Sequence, residues 1–327
     1  MVRSVHYQNV DPGTRWTKDA DVAIDSNGPL DSDRTLTPNV VRMDGGYRMY
    51  YHGLGPGRPK ADSKGYILSA FSTDAEKWEK EPGVRMDAGG PGAQYFIWSP
   101  DVIPLADGRY RMHYEGKTEE ESGVKAAIVS SISADGLTWE REPGIRLAAE
   151  AVSYLAPRCL HLDPVAGNGP LYRLYASAYP YPDAEAAPGA FNNKHIVSAL
   201  SDDGLHFELE PGVRIAQDQE LESYAVYAPE VLRLGEGGYR MYYAGWTSAP
   251  EVPAGSKAHG RIFSAFSQDG LQWVKDPEIC IDNGGRWDTA KASEPCVIDL
   301  GDGRFRMFYE ACDMEGRWRI ASATSVE

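Results

Sequence analysis

The chain is poor in the features that announce several common protein classes. It has four cysteines in 327 residues, Cys159, Cys280, Cys296 and Cys312, and no CxxC pair. Their spacing does not point to a zinc site, and the four read as buried thiols. Basic residues are in deficit: 33 Lys and Arg against 48 Asp and Glu give a formal charge of −15. That balance argues against nucleic acid or an anionic membrane as a partner, because phosphate surfaces are bound by cationic ones. No apolar run approaches a membrane span, and the opening "MVRSVHYQNVDPG" lacks an apolar core of signal-peptide length. A cytoplasmic location is the expectation. Walker A, HExxH and GxSxG patterns are missing, as is helical periodicity of useful length.

What the chain has instead is repetition. Five segments align on a proline: "LTPNVVRMDGGYRMYYHG", "WSPDVIPLADGRYRMHYEG", "LAPRCLHLDPVAGNGPLYRLYASA", "YAPEVLRLGEGGYRMYYAG" and "SEPCVIDLGDGRFRMFYEA". Their prolines, Pro38, Pro100, Pro157, Pro229 and Pro295, are 62, 57, 72 and 66 residues apart. Each segment predicts strand, turn, strand, since alternating β-branched and aromatic residues flank the turn. A second motif follows the first four, as in "AIVSSISADGLTWEREPGIRL", and in three of its copies Asp-Gly supplies another hairpin. The repeat is thus a four-stranded antiparallel blade, and the fold class is all-β, a five-bladed β-propeller.

The fifth repeat lacks the aromatic that the others carry at Trp78, Trp139, Phe207 and Trp273. Trp16 precedes Pro38 by 22 residues, the spacing by which Trp78, Phe207 and Trp273 precede their next prolines. A strand within residues 5–25 is therefore expected to complete the last blade and remove its open edge. One domain over residues 1–327 follows. Its blades lie near 38–86, 100–147, 157–215 and 229–281, with the fifth built from 295–325 plus 5–25.

In such an array the first strand of each blade lies nearest the axis. The residue after the proline reads Asn39, Asp101, Arg158, Glu230 and Cys296, while the next is Val or Cys throughout. Alternation puts the two sets on opposite faces. Five unlike residues at one slot predict a single asymmetric site facing an axial funnel. The return strands bring His52, Glu115 and Glu310 to the same side, and neighbouring connections bring Trp98, Tyr227, Trp246, Lys291 and Glu294. Asp101, Glu230 and Glu294 are the candidate acids and bases. Asn39, His52, Trp98, Glu115, Arg158, Tyr227, Trp246, Lys291 and Glu310 are the candidate substrate contacts. The segments "LGPGRPKADSKG" and "YPYPDAEAAPGAFNN" are expected at the rim of that side. The Arg repeated in "YRM", "YRL" and "FRM" is expected to serve the strands rather than a ligand.

The blade count, the S-x-D-G-x-x-W hairpins and above all "WSPDV" resemble the five-bladed propeller superfamily of glycoside hydrolase families 43, 62, 32, 68, 117 and 130. The resemblance implies a carbohydrate-active enzyme with a small-molecule or carbohydrate substrate, and a role for Asp101 in adjusting and orienting the general acid. It departs from the family 43 pattern where the base and the acid belong, because Thr37 and Leu155 stand there. Rotation by two blades aligns Glu230 with the modulator and Glu294 with the acid, but puts Ala156 at the base. Hydrolysis with a rearranged carboxylate set is the leading expectation. Phosphorolysis of the family 130 kind, with Arg158, His52 and Lys291 around phosphate, is an alternative. A non-hydrolytic propeller that binds a small molecule, or isomerises or cyclises one, is another. No cofactor is expected; the family analogy leaves open a structural calcium in the channel, for which the sequence offers no dedicated ligand run.

Overall fold

The computed structural model describes residues 7–8, 10–55, 65–120, 123–148, 152–162, 170–179, 194–235, 237–247 and 259–326. They are almost entirely strands and turns, with one short 3₁₀ turn at Glu220–Glu222. Strands pair in antiparallel meanders. In the first unit, Arg34–Met43, Gly46–Leu54 and Tyr66–Ser72 are followed by the short outer strands Glu79–Lys80 and Met86–Asp87. The second unit runs Phe96–Pro104, Tyr110–Glu120, Gly123–Ser133, Glu140–Arg141. The third runs Ser153–His161, Tyr172–Tyr179, His195–Ser201, Glu208–Leu209. The fourth runs Ala225–Leu234, Tyr239–Trp246, Gly260–Ser267, Val274–Ile281. In the fifth, Lys291–Asp299, Phe305–Cys312 and Trp318–Ser325 receive Trp16–Lys18 as the outer strand. Single parallel bridges, Gly260 to Lys291 and Trp318 to Arg34, tie the fourth, fifth and first units into one larger sheet. Tyr7–Gln8 adds a parallel pairing to the fourth unit, which the repeat pattern did not predict.

The local chemistry explains the hairpins. In "SADG" the Asp135 carboxylate accepts the amides of Leu137 and Thr138 at 2.8 and 2.7 Å, while Gly136 takes a positive φ of 71°. Asp203 and Asp269 repeat the arrangement. The aromatic that follows then packs edge-on against the preceding unit. Tyr50 meets Trp139, His113 meets Phe207, Tyr175 meets Trp273, Tyr242 meets Trp16, and Phe308 meets Trp78. Centroids lie 5.4–6.0 Å apart, with planes 83–90° from parallel. Perpendicular aromatic pairs of this kind add to ordinary burial. Trp16 thus occupies the slot expected of it, and the N-terminal strand closes the fifth unit.

The repeated arginines join units as well. Arg48 pairs with Glu81 at 2.8 Å and donates to the Asp135 carbonyl of the next unit at 3.1 Å. Arg111 does the same with Glu142 and Asp203, and Arg173 with Glu210 and Asp269. Arg240 reaches Asp276 and Asp11, and Arg306 donates to the Ala75 carbonyl. Glu81, Glu142 and Glu210, each followed by Pro-Gly, thus hold the arginine that reaches the next unit.

Candidate active site

The first strands share a defect at one place. Strand register slips between Leu36 and Asn39, Trp98 and Asp101, Leu155 and Arg158, Tyr227 and Glu230, and Ser293 and Cys296. Each slip contains a non-glycine residue at positive φ immediately before the proline: Thr37, Ser99, Ala156, Ala228 and Glu294, at 45–53°. Such a backbone costs about 1–2 kcal/mol per residue. It belongs to β-bulges, which re-aim side chains. Glu294 is the one acid among the five.

Just past the bulge lies the ring of unlike residues. Asp101 and Glu230 are 0% exposed and Arg158 is 1% exposed. Four of the five side chains reach the backbone of a neighbouring unit. Asn39 Oδ1 accepts the Val102 amide at 2.9 Å, and Asp101 Oδ2 accepts the Cys159 amide at 2.7 Å. Glu230 Oε1 accepts the Val297 amide at 2.9 Å, and Cys296 Sγ accepts the Val40 amide at 3.2 Å. Arg158 has no acceptor to offer. Its Nε donates to Glu230 at 2.9 Å, while its Nη atoms approach the carbonyls of Pro157, Pro38 and Pro295. Four of the five positions perform one task, accepting a neighbour's N–H, and the fifth plugs the middle. A calcium does not fit at that centre, because the guanidinium already draws on its carbonyls and carboxylate. Among the described residues no group of three or more His, Cys, Asp or Glu is placed to hold a metal ion.

Glu294 and Glu310 sit differently. Glu310 lies opposite Ser293 on the adjacent strand, accepting the Ser293 hydroxyl at 2.8 Å and the Thr37 amide at 3.1 Å. Among the described residues Glu294 receives a long hydrogen bond from Ser99 Oγ at 3.4 Å. Both are buried. Burial first, and then the Glu310 carboxyl, push Glu294 well above the usual carboxylate range. Burial raises Glu310 to about 7 against the opposing hydrogen bonds from Ser293 and Thr37. The two titrate as a pair. Glu115 also acts on Glu294 and forms an ion pair with Lys117 at 3.1 Å.

Aromatic rings and lysines surround these carboxyls. Lys117 Nζ lies 5.2 Å from the Phe96 ring centre and 5.6 Å from that of Trp98. Lys194 Nζ stands 5.1 Å from Tyr227 and 5.7 Å from Tyr179. Lys291 Nζ lies 4.9 Å from Trp246 and 6.0 Å from Trp318. Trp98 stacks on His52 at 4.4 Å, and Tyr227 meets Trp246 edge-on at 4.9 Å. Trp98, Tyr227, Trp246 and Trp318 join Leu36 and Ala156 in one apolar cluster that spans several units. His52 is wholly buried, and burial together with Lys117 and Arg34 lowers it to about 3, so it is neutral. Among the described residues Thr37 Oγ1, Trp246 Nε1 and both His52 ring nitrogens are buried without a hydrogen-bond partner.

The structure therefore brings together Glu294, Glu310, Glu115, Trp98, Tyr227, Trp246, Lys291 and His52 of the predicted set. It places Asn39, Asp101, Arg158 and Glu230 in the ring of backbone contacts. Sequence reasoning passed over Lys117, Lys194, Ser99, Ser293 and Trp318. The signal for Lys117 was its place two residues after Glu115 on a return strand. Ser99 and Ser293 lie at the bulge beside the repeated proline, whose presence inside a strand was the available signal. The rim segments 56–64 and 180–193 lie outside the described residues.

No family model matches the chain. An uncharacterized protein of Mycobacterium tuberculosis strain CDC 1551 is 32% identical over 131 residues, covering 39% of this chain and 40% of that protein. One from strain H37Rv is 33% identical over 131 residues, covering 40% of each. The chain thus matches about two-fifths of the length of these curated relatives. Solved structures agree over nearly the whole chain. A glycoside hydrolase superposes with a TM-score of 0.74 at 17% identity, covering 95% of this chain and 92% of that one. A protein of the GH130 family, described as mannoside phosphorylases that include hydrolases of β-1,2 mannosidic linkages in Candida mannan, gives 0.69 at 14%, covering 96% of each. A thermostable family-43 glycoside hydrolase gives 0.62 at 15%, covering 94% and 89%. At such identities the likeness defines the fold: the architecture is that of family 43 and family 130 type glycoside hydrolases. No helix among the described residues is long and apolar enough to cross a membrane.

Proposed function

We propose that the chain is a single five-bladed β-propeller domain acting as a carbohydrate-active enzyme of glycoside hydrolase type. The five meanders, their cyclic aromatic contacts and the fold neighbours support the blade count. Three buried carboxyls, Glu294, Glu310 and Glu115, serve the chemistry. Cleavage of a glycoside needs a neutral acid to protonate the leaving oxygen and a carboxylate on the other face. Glu294, the more strongly raised member of its pair, holds the proton and is the general acid. Glu115, ion-paired to Lys117, is the carboxylate that activates water or attacks. Glu310 keeps Glu294 protonated and acts as a positioning residue. Asp101 and Glu230 hold the floor of the site. Thr37 Oγ1 and Trp246 Nε1 are donors suited to sugar hydroxyls.

The observation that carries this reading is the buried, coupled Glu294–Glu310 pair at a strained bulge, which is where shifted carboxyls do acid–base work. The test is turnover of a panel of aryl glycosides and oligosaccharides by the wild type, Glu294→Gln and Glu115→Gln, with and without phosphate. Loss of at least ~10²-fold in both variants is expected for a general acid and its partner. Wild-type rates in both would sink it. Phosphorolysis is the second reading, favoured by the three lysines around the carboxyls. Phosphate-dependent release of a glycosyl phosphate identifies it.

A further inference from the structure

Arg158 is the odd member of its ring. The other four slots pass an N–H from unit to unit in a fixed order: Asn39 takes the Val102 amide, Asp101 that of Cys159, Glu230 that of Val297, and Cys296 that of Val40. The step from the third unit to the fourth breaks this order. Arg158 has only donors, and its Nε reaches the Glu230 carboxylate at 2.9 Å. An Asn or Asp at this slot could accept an amide without burying a guanidinium that is 1% exposed. A buried ion pair is poor grounds for stability, because desolvation offsets its attraction. The guanidinium therefore serves something other than the latch.

Its reach shows what. Nη1 donates to the Pro157 carbonyl of its own unit at 2.9 Å. Nη2 makes long contacts with the Pro38 and Pro295 carbonyls, at 3.4 and 3.5 Å. These belong to the first and fifth units, whereas the third packs its rings against the second and fourth. Pro38 and Pro295 directly follow the bulge residues Thr37 and Glu294. The Thr37 amide donates to Glu310 Oε1 at 3.1 Å. One guanidinium thus gathers the strained peptide that carries Glu294 and the one that supports Glu310. Backbone at positive φ without glycine persists only where its surroundings over-determine it. A planar fork of donors fixes such positions in a way that a flexible ammonium does not.

We infer that Arg158 is a positioning residue: by gathering the Pro38 and Pro295 carbonyls beside Glu230, it sets the bulges of the first and fifth units and through them the places of Glu310 and Glu294. The consequence for turnover rests on the proposed role of Glu294, so position and turnover are measured separately.

Two variants of the full chain test it. Arg158→Lys keeps the charge and loses the fork. Arg158→Met combined with Glu230→Gln removes both charges and leaves the Gln oxygen to accept the Val297 amide. Hydrogen exchange compares the Thr37 amide, held by Glu310, with the Val102 amide, held by Asn39. In both variants Thr37 is expected to exchange at least ~10-fold faster while Val102 and the melting temperature hold, the pattern of a local opening. Turnover of a responsive glycoside is expected to lose ~10²-fold in kcat at nearly constant KM, as a misplaced group rather than a lost substrate contact would give. If one variant fails to fold, the other carries the test. Unchanged exchange at Thr37 would overturn the inference. So would exchange that accelerates throughout the chain, or failure of both variants to fold, because Arg158 would then support the fold at large. Faster exchange at Thr37 with unchanged turnover keeps Arg158 as the group that sets the bulges and refutes only the acid–base role of Glu294.

Discussion

Two sets of buried acids occupy repeat positions on either side of the shared proline and have opposite fates. Asp101 and Glu230, just past the bulge, are held by amide donors and, for Glu230, by a guanidinium. Glu294, within the bulge, has one long hydroxyl contact and an acidic neighbour. Both sets are buried, and both stand out in sequence as acids near a repeated proline. Burial and irregularity do not by themselves mark chemistry; what each carboxyl faces does. A carboxyl supplied with N–H donors is a structural anion, and one deprived of them keeps a proton and can give it away.

The sharpest way to break this contrast is to remove a floor acid. Glu230→Ala would leave the Arg158 guanidinium buried without its carboxylate and the Val297 amide without its acceptor. Breaking a buried pair on one side costs ~3–5 kcal/mol. Urea denaturation should show a loss of that order, enough to threaten folding at 37 °C. A loss below ~1 kcal/mol, the range of an exposed pair, would mean that Glu230 is not a latch.

At the mouth the balance should invert. Glu294→Gln removes a proton donor and, among the described residues, no strong contact, so activity falls by ~10²–10⁴ while the denaturation midpoint holds or rises. A variant that unfolded as readily as Glu230→Ala would erase the distinction between the two sets.

Glu310 offers a finer test through pH. Its folded value of about 7 lies above its ordinary value of 4.5. Between those limits the native state binds more protons than the unfolded chain, so stability falls as pH rises through the window, by at most ~1.4 kcal/mol per pH unit per proton. Glu310→Gln should flatten that slope. It should also move the basic limb of the pH–rate profile to lower pH, since a neutral neighbour no longer raises Glu294. An unmoved limb with an intact fold would remove Glu310 from the positioning role.

Much of the fold was legible because its determinants are local. An Asx turn needs Asp then Gly, an edge-on ring needs an aromatic at a fixed offset, and the 22-residue interval to Trp16 located the closing strand. The ring of Asn39, Asp101, Glu230 and Cys296 carries a contact that its sequence hides for a physical reason. Its members share one property, the capacity to accept an N–H, and four residue types satisfy it. Diversity that reads in sequence as an asymmetric site therefore also serves a repeated contact. Glu294 was recognised as a candidate, but its partnership with Glu310 depends on a register slip made by Thr, Ser, Ala and Glu at positive φ. With no glycine at that position, the repeated proline after it is the one trace the bulge leaves in the sequence. Tyr7–Gln8 was unreadable for the complementary reason: two residues of parallel pairing carry no pattern.

The smallest effect sharpens the floor itself. Cys296 is the weakest acceptor in the ring, taking the Val40 amide on a thiol sulfur at 3.2 Å. If the slot requires only an acceptor, Cys296→Ser should be tolerated, because a hydroxyl oxygen accepts more strongly than sulfur though it reaches less far. A change within about 1 kcal/mol either way is expected. Cys296→Ala supplies no acceptor and should cost ~1–3 kcal/mol through the stranded amide. Hydrogen exchange at Val40 reads the same contact directly, and should speed up in the Ala variant and not in the Ser variant. Equal behaviour of the two would mean that Cys296 is held by packing alone, leaving three latches in the ring instead of four.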